Sequence, residues 1–217
     1  MSGFRHTTAR ALTLAGLVAA ALSLPTAGRA AAQSAVAAQV AKPVSLPDIA
    51  IGSAKARVAI TEYASMSCPH CAAFGENVFP MLRTRYIDTG KVRFVFREFP
   101  LDITAAAASM LARCIGKADP EKYLAVVATL FKQLDRLMAQ TKDTLKLVGK
   151  LNGMSEQEVE SCEKDQALLD KLAADQRYAL QTLKVVSTPT FFVNGQKLQG
   201  AMSFEELEAI IKPMLKH

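Results

Sequence analysis

The stretch SMSCPHCAAF, Ser65 to Phe74, decides how the chain is read. Two cysteines, Cys68 and Cys71, bracket Pro69 and His70. Just upstream, ARVAITEYAS (residues 56–65) carries apolar residues on both faces, which suits a central buried strand, and a helix is expected to follow through about Tyr86. The cysteines therefore lie where a strand ends and a helix begins. There the exposed N–H groups and the positive end of the helix dipole favour a thiolate, so the pKa of Cys68 is expected to fall. Pro69 suits the first helical turn, where its missing N–H would go unpaired anyway. His70 can bring a positive or hydrogen-bonding group close to Cys68. Cys71, three residues on, shares a helix face with Cys68 and can close a small disulfide ring. A stabilised Cys68 thiolate makes the reduced pair comfortable and the disulfide a strong oxidant.

Two blander roles for the pair are weaker. Half a zinc site would need further ligands, but beyond the leader the histidines are His70 and the terminal His217, and Cys114 and Cys162 stand far apart without a second CxxC knuckle. No metal is expected. A purely structural disulfide across so short a loop would restrict the unfolded chain little.

Three further features bear on the chemistry. Glu62 shares a strand face with Val58 and Ile60, so a carboxylate points where apolar side chains belong; if buried, its raised pKa would suit a proton relay to Cys71. Pro189, after Thr188 in VSTPTFF, cannot donate to a ladder and marks an edge, a bulge or a cis bond. Cys114 and Cys162 are read as a second, structural disulfide, worth about 4 kcal/mol in the chain-entropy picture, with two buried free thiols as the alternative.

The pattern is strand, helix, the turn DTGK, a strand VRFVFREF, then helices from Asp102 to about Lys184. Within that block Asp119-Pro120 starts one helix and Ser155 with Glu158 forms a capping box. VSTPTFFVNGQKLQG reads as two strands around an Asn-Gly turn, and SFEELEAIIKPML as a closing helix capped by Ser203 and Glu206. The fold class is an α/β sheet domain, residues 48–101 and 185–217, split by an inserted helical domain, residues 102–184.

Residues 1–32 have the layout of a secretory signal peptide: Arg5 and Arg10 precede the apolar run Ala11–Leu24, and a small-residue region offers cleavage after Ala30 or Ala32. The run is short for a membrane span. Residues 33–47 lack a period and read as a flexible leader. The 217-residue chain has a formal charge of +6, and removal of residues 1–32 takes away three arginines and no acid, leaving 23 basic against 20 acidic side chains. That charge is interspersed along the sequence, with no basic stripe of the kind nucleic acid needs. Export to an oxidising compartment also favours disulfides over metal for four cysteines.

ITEYASMSCPHCAAF, the helical insertion, VSTPTFFVNG and the final capped helix together resemble the DsbA-like thiol-disulfide oxidoreductases of the thioredoxin superfamily, over nearly all of residues 48–216. The second cysteine pair is similar to that of α-proteobacterial members. The resemblance implies a thioredoxin fold with its helical insertion between the second strand and the cis-proline hairpin. It implies Cys68 as the attacking cysteine, Cys71 as the resolving one and His70 tuning both. It also makes Pro189 a cis-proline facing the disulfide, Thr188 a backbone contact for an extended substrate, and Glu62 the buried acid. The implied activity is a soluble, monomeric periplasmic dithiol oxidase acting on unfolded or newly exported cysteine-containing proteins. It needs no bound cofactor and is re-oxidised by a DsbB-like membrane quinone reductase. Thr188 is shared with isomerases, so a disulfide isomerase or reductase is the competing enzyme, and a redox-inactive peptide-binding chaperone module the competing non-enzyme.

Overall fold

In a computed structural model, Gly3, residues 26–42 and residues 44–216 are described. Most of the export segment read over residues 1–32 lies outside these residues. None of the described helices is long and apolar enough to cross a membrane.

Five strands form one sheet in the order β1-β3-β2-β4-β5: β1 Ile49–Ile51, β2 Val58–Ala64, β3 Val92–Glu98, β4 Thr190–Val193 and β5 Gln196–Gln199. β2 and β3 are parallel and the other pairs antiparallel. β1, an edge strand of three residues, was not anticipated, because IAI is too short to show a period. The β4–β5 hairpin turns through Asn194 and Gly195, both at positive φ, as an Asn-Gly turn requires.

The register puts Ile60 beside Phe94, and Glu62 beside Phe96 and Phe191. This face forms the main core with helix α2, Pro69–Asn77, and helix α10, Phe204–Leu215, at the C-terminal end. The expected single helix to Tyr86 is instead broken into α2, a short α3 at Phe79–Leu82 and a π-helical turn at Arg83–Ile87. Pro80 is the physical reason, since it supplies no N–H to continue the ladder.

Between β3 and β4 run six helices: α4 Ile103–Gly116, α5 Pro120–Lys132, α6 Leu134–Ala139, α7 Thr141–Leu151, α8 Glu156–Glu163 and α9 Gln166–Gln181. Asp119 caps α5, and the Ser155–Glu158 and Ser203–Glu206 capping boxes are both formed. Cys114 of α4 and Cys162 of α8 form a disulfide with Cα atoms 6.3 Å apart. A buried ion pair ties this insertion to the sheet. Glu98, at the end of β3, takes two hydrogen bonds from Arg113, at 2.5 and 2.7 Å, and one from the Tyr123 hydroxyl at 2.8 Å.

The leader reading of residues 33–47 needs correction. Helix α1, Thr26–Ala41, runs through both candidate cleavage points and packs on the opposite sheet face. Val40 lies against a cluster containing Tyr63, Phe192 and Val185, with Val36 beside it. A Cβ on Gly195 would come within van der Waals radii of the Gln33 carbonyl and Ala37, so the hairpin turn and α1 touch backbone to backbone. Alanine has the highest helix propensity, yet two valines among alanines leave almost no apolar period to read. Further on, Asp175 accepts the Ser45 and Leu46 N–H groups, which docks residues 45–46 on α9.

Arg113→Met should destabilise the protein by about 3–5 kcal/mol in urea unfolding, because it strands the Glu98 carboxylate without its cation. The double variant Glu98→Leu/Arg113→Met should be less damaged than the single one, since no buried charge is left unpaired.

Candidate active site

Cys68 sits just past the carboxyl end of β2 and is the N-cap residue of α2. Its Sγ takes the place of the oxygen that usually caps a helix, accepting the Cys71 N–H at 3.4 Å. Pro69 occupies the first helical position. On the far side, the Cys68 thiol donates to the Thr188 carbonyl oxygen at 3.3 Å, and the Thr188–Pro189 bond is cis. The loop leading into β4 thereby meets the cysteine turn, 120 residues apart in sequence.

The two thiols are free and buried, and their surroundings push them in opposite directions. Cys68 is held down at about 5, chiefly by the Cys71 thiol and also by the Cys71 and His70 backbone N–H groups, which outweigh burial. Burial pushes Cys71 far above the ordinary thiol range; its hydrogen bond to Cys68 and the charges of Glu62 and Cys68 add to the effect.

Glu62 is buried, 3 % exposed, and its Oε1 has no hydrogen-bond partner among the described residues. Burial, helped by Cys68, raises its pKa well above the usual carboxylate range, which favours its protonated form. Beside it lies a cavity of about 50 Å³ that Cys71 also lines, walled by Phe74, Phe94, Phe96 and Phe131. The volume is enough for a water molecule between the two groups.

The structure thus brings Cys68, Cys71, Glu62, Thr188 and Pro189 together. His70 is placed differently from the expectation: its side chain is exposed, and its contribution to Cys68 comes through the backbone N–H. Cys114 and Cys162 lie in the insertion, in a separate cluster with Met110 and Leu172. Two features were not anticipated. The buried Ser65 hydroxyl contacts the Ser67 hydroxyl at 3.0 Å and accepts the Leu101 N–H at 3.2 Å, stapling the cysteine turn to the loop after β3. In addition, Leu101 in the loop after β3, Ile103 at the start of α4 and Val186 in the loop before β4 stand exposed. The sequence offers only the serine-rich start of SMSC as a signal for the first and none for the second.

This fold and site define a thioredoxin-type dithiol protein. Residues 45–213 match the family described as thioredoxin, and the chain belongs to that family as a DsbA-like member. It is 30% identical to Wolbachia pipientis alpha-DsbA1, with a TM-score of 0.74 over 82% of this chain and 95% of that one. It shares the fold of BdbD from Bacillus subtilis at 20% identity and a TM-score of 0.68, over 78% of this chain and 94% of that one. Among named relatives, a Rickettsia bellii protein, "Putative protein-disulfide oxidoreductase", is 34% identical over 70% of this chain and 59% of its own length. The chain thus spans less than two thirds of the curated relatives it resembles at this level.

Cys68 should ionise near pH 5 when thiolate absorbance at 240 nm is followed, and Cys68→Ser should remove that transition. Because its folded pKa is depressed, ionisation stabilises the reduced fold increasingly as pH rises from about 5 toward the unfolded value near 9, and this gain is lost as pH falls through about 5. The disulfide form has no such group. The melting temperature of the reduced protein minus that of the oxidised protein should therefore increase between pH 4 and pH 9.

Proposed function

We propose that this chain is a dithiol oxidase that donates a Cys68–Cys71 disulfide to newly exported proteins in the periplasm, as a soluble monomer. The observation that carries the reading is the opposed pair of pKa shifts: one sulfur that leaves easily as a thiolate, and one that does not.

In the oxidised enzyme a substrate thiolate attacks Cys68 Sγ. The Cys68–Cys71 bond breaks, and its electron pair leaves on Cys71. Buried Cys71 does not tolerate that charge, and the neutral Glu62 carboxyl supplies a proton, directly or through water in the shared cavity. A second substrate thiolate then attacks the substrate sulfur of the mixed disulfide. Cys68 departs as the stabilised thiolate, and two electrons have passed from substrate to enzyme. Backbone groups of Thr188, with Pro189 behind them, hold the substrate in extended form, and Leu101, Ile103 and Val186 supply apolar contact for an unfolded chain. Return of the disulfide requires an oxidant, assigned to a DsbB-like membrane quinone reductase. The names of the relatives support thiol-disulfide chemistry, and Thr188 keeps an isomerase or reductase as the competing direction.

The deciding measurement is the reduction potential of the Cys68/Cys71 pair by glutathione equilibration, with Cys114 and Cys162 replaced by serine. A value near about −120 mV, where DsbA stands, supports the oxidase; about −230 mV or lower overturns it in favour of a reductase. Glu62→Gln should slow oxidation of a reduced peptide by about 10²-fold. It should also abolish whatever fall in wild-type rate accompanies Glu62 ionisation as pH rises, an effect that a packing defect would not produce.

A further inference from the structure

At the end of the sheet remote from the cysteines lies an open hollow of about 620 Å³. Three stretches distant in sequence build it: Lys55 and Arg57 ahead of β2, Tyr86 and Lys91 ahead of β3, and Lys212 with Lys216 at the end of α10. Five cations line it and no acid does.

Local structure accounts for part of this cluster. Cations near the C-terminal end of α10 suit its dipole, and Lys212 pairs with Glu208 at 2.8 Å. Arg57 Nη1 donates to the Leu215 carbonyl at 3.3 Å, which holds the guanidinium at the rim. Glu208 is committed elsewhere, to Lys212, to the Tyr86 hydroxyl at 2.7 Å and to Arg85 at 3.9 Å. Lys55, Lys91 and Lys216 have no ion-pair partner among the described residues. Apart from the Lys91 ammonium over the Tyr86 ring, 5.9 Å from its centroid, the cations without an ion-pair partner only repel one another here, and an entering anion would relieve that repulsion. A hollow of this size is in the range of small-ligand sites, and a guanidinium fork with mobile ammonium groups matches the oxygens of a phosphate.

We propose that this hollow binds a phosphate-bearing anion, either a free phosphate compound or the headgroup of an anionic lipid, with Arg57, Lys55, Lys91 and Lys216 as its contacts. β2 separates the hollow from Cys68 by about 20 Å, the length of a seven-residue strand, so an anion held here leaves the cysteine turn open to substrate.

The test uses the full chain in low salt, with pyrophosphate in calorimetric titration and with flotation on vesicles of phosphatidylglycerol and phosphatidylcholine. Wild type is compared with Lys55→Glu/Lys91→Glu, with the milder Lys91→Gln/Lys216→Gln, and with a control of equal charge change elsewhere, Lys132→Glu/Lys171→Glu. All the substituted side chains are exposed, and the melting temperature and Cys68 ionisation should be unchanged in each variant. Binding should weaken about tenfold or more in the first variant and less in the second, persist in the control, and fade in about 0.5 M salt. Pyrophosphate binding with this pattern identifies a free phosphate source; the pattern on vesicles alone identifies a lipid headgroup. Binding of neither probe, or equal loss in the patch variants and the control, overturns the proposal.

Discussion

The Cys68 sulfur as the N-cap of α2 is the contact on which the site depends. A helix start leaves N–H groups without intrahelical partners, and elsewhere in this chain Asp119, Ser155, Asp165 and Ser203 supply oxygens for them. At α2 a sulfur does so, and the groups that would satisfy a capping oxygen stabilise a thiolate. The requirements follow outward. β2 must end where the sulfur meets the helix start, Pro69 must leave the first turn without a competing donor, and the loop leading into β4 must bring Thr188 to the other side of the sulfur.

Two buried glutamates show how one residue type is turned to different ends by its partners. Glu98 is met by Arg113 and Tyr123 and joins the insertion to the sheet, a charge balanced where it stands. Glu62 lies one strand over, on the Phe94 and Phe96 face, with no cation and with Oε1 unpaired. Burial in that environment favours the protonated carboxyl, and only a protonated acid can donate to a departing thiolate. The missing partner of Glu62 is therefore what suits it to proton transfer, and the full set of partners around Glu98 is what suits it to structure.

Much of this was legible beforehand because it is local. The CPHC spacing, the strand before it, the capping boxes and the Asn-Gly turn each act within a few residues, and such signals survive in one dimension. The misreadings have the opposite character. Helix α1 carries too little apolar contrast to announce its docking, β1 is a strand only because β3 lies beside it, and Pro80 divides a helix whose period continues through the break. His70 reads as tuning the sulfur from its place between the cysteines and from the family resemblance; in the fold the residue is exposed and its backbone N–H faces Cys68.

The sequence by itself determined a strand-to-helix junction bearing two cysteines, an acid on an apolar strand face, and a helical block set inside an α/β frame. Tertiary structure alone decided that Thr188 meets Cys68, that Glu62 and Cys71 share one small cavity, and that lysines scattered from residue 55 to residue 216 face a single hollow. The physical reason is range: helix dipoles, caps and turns act over a few residues, while desolvation and charge proximity depend on which distant segments the packed sheet brings together.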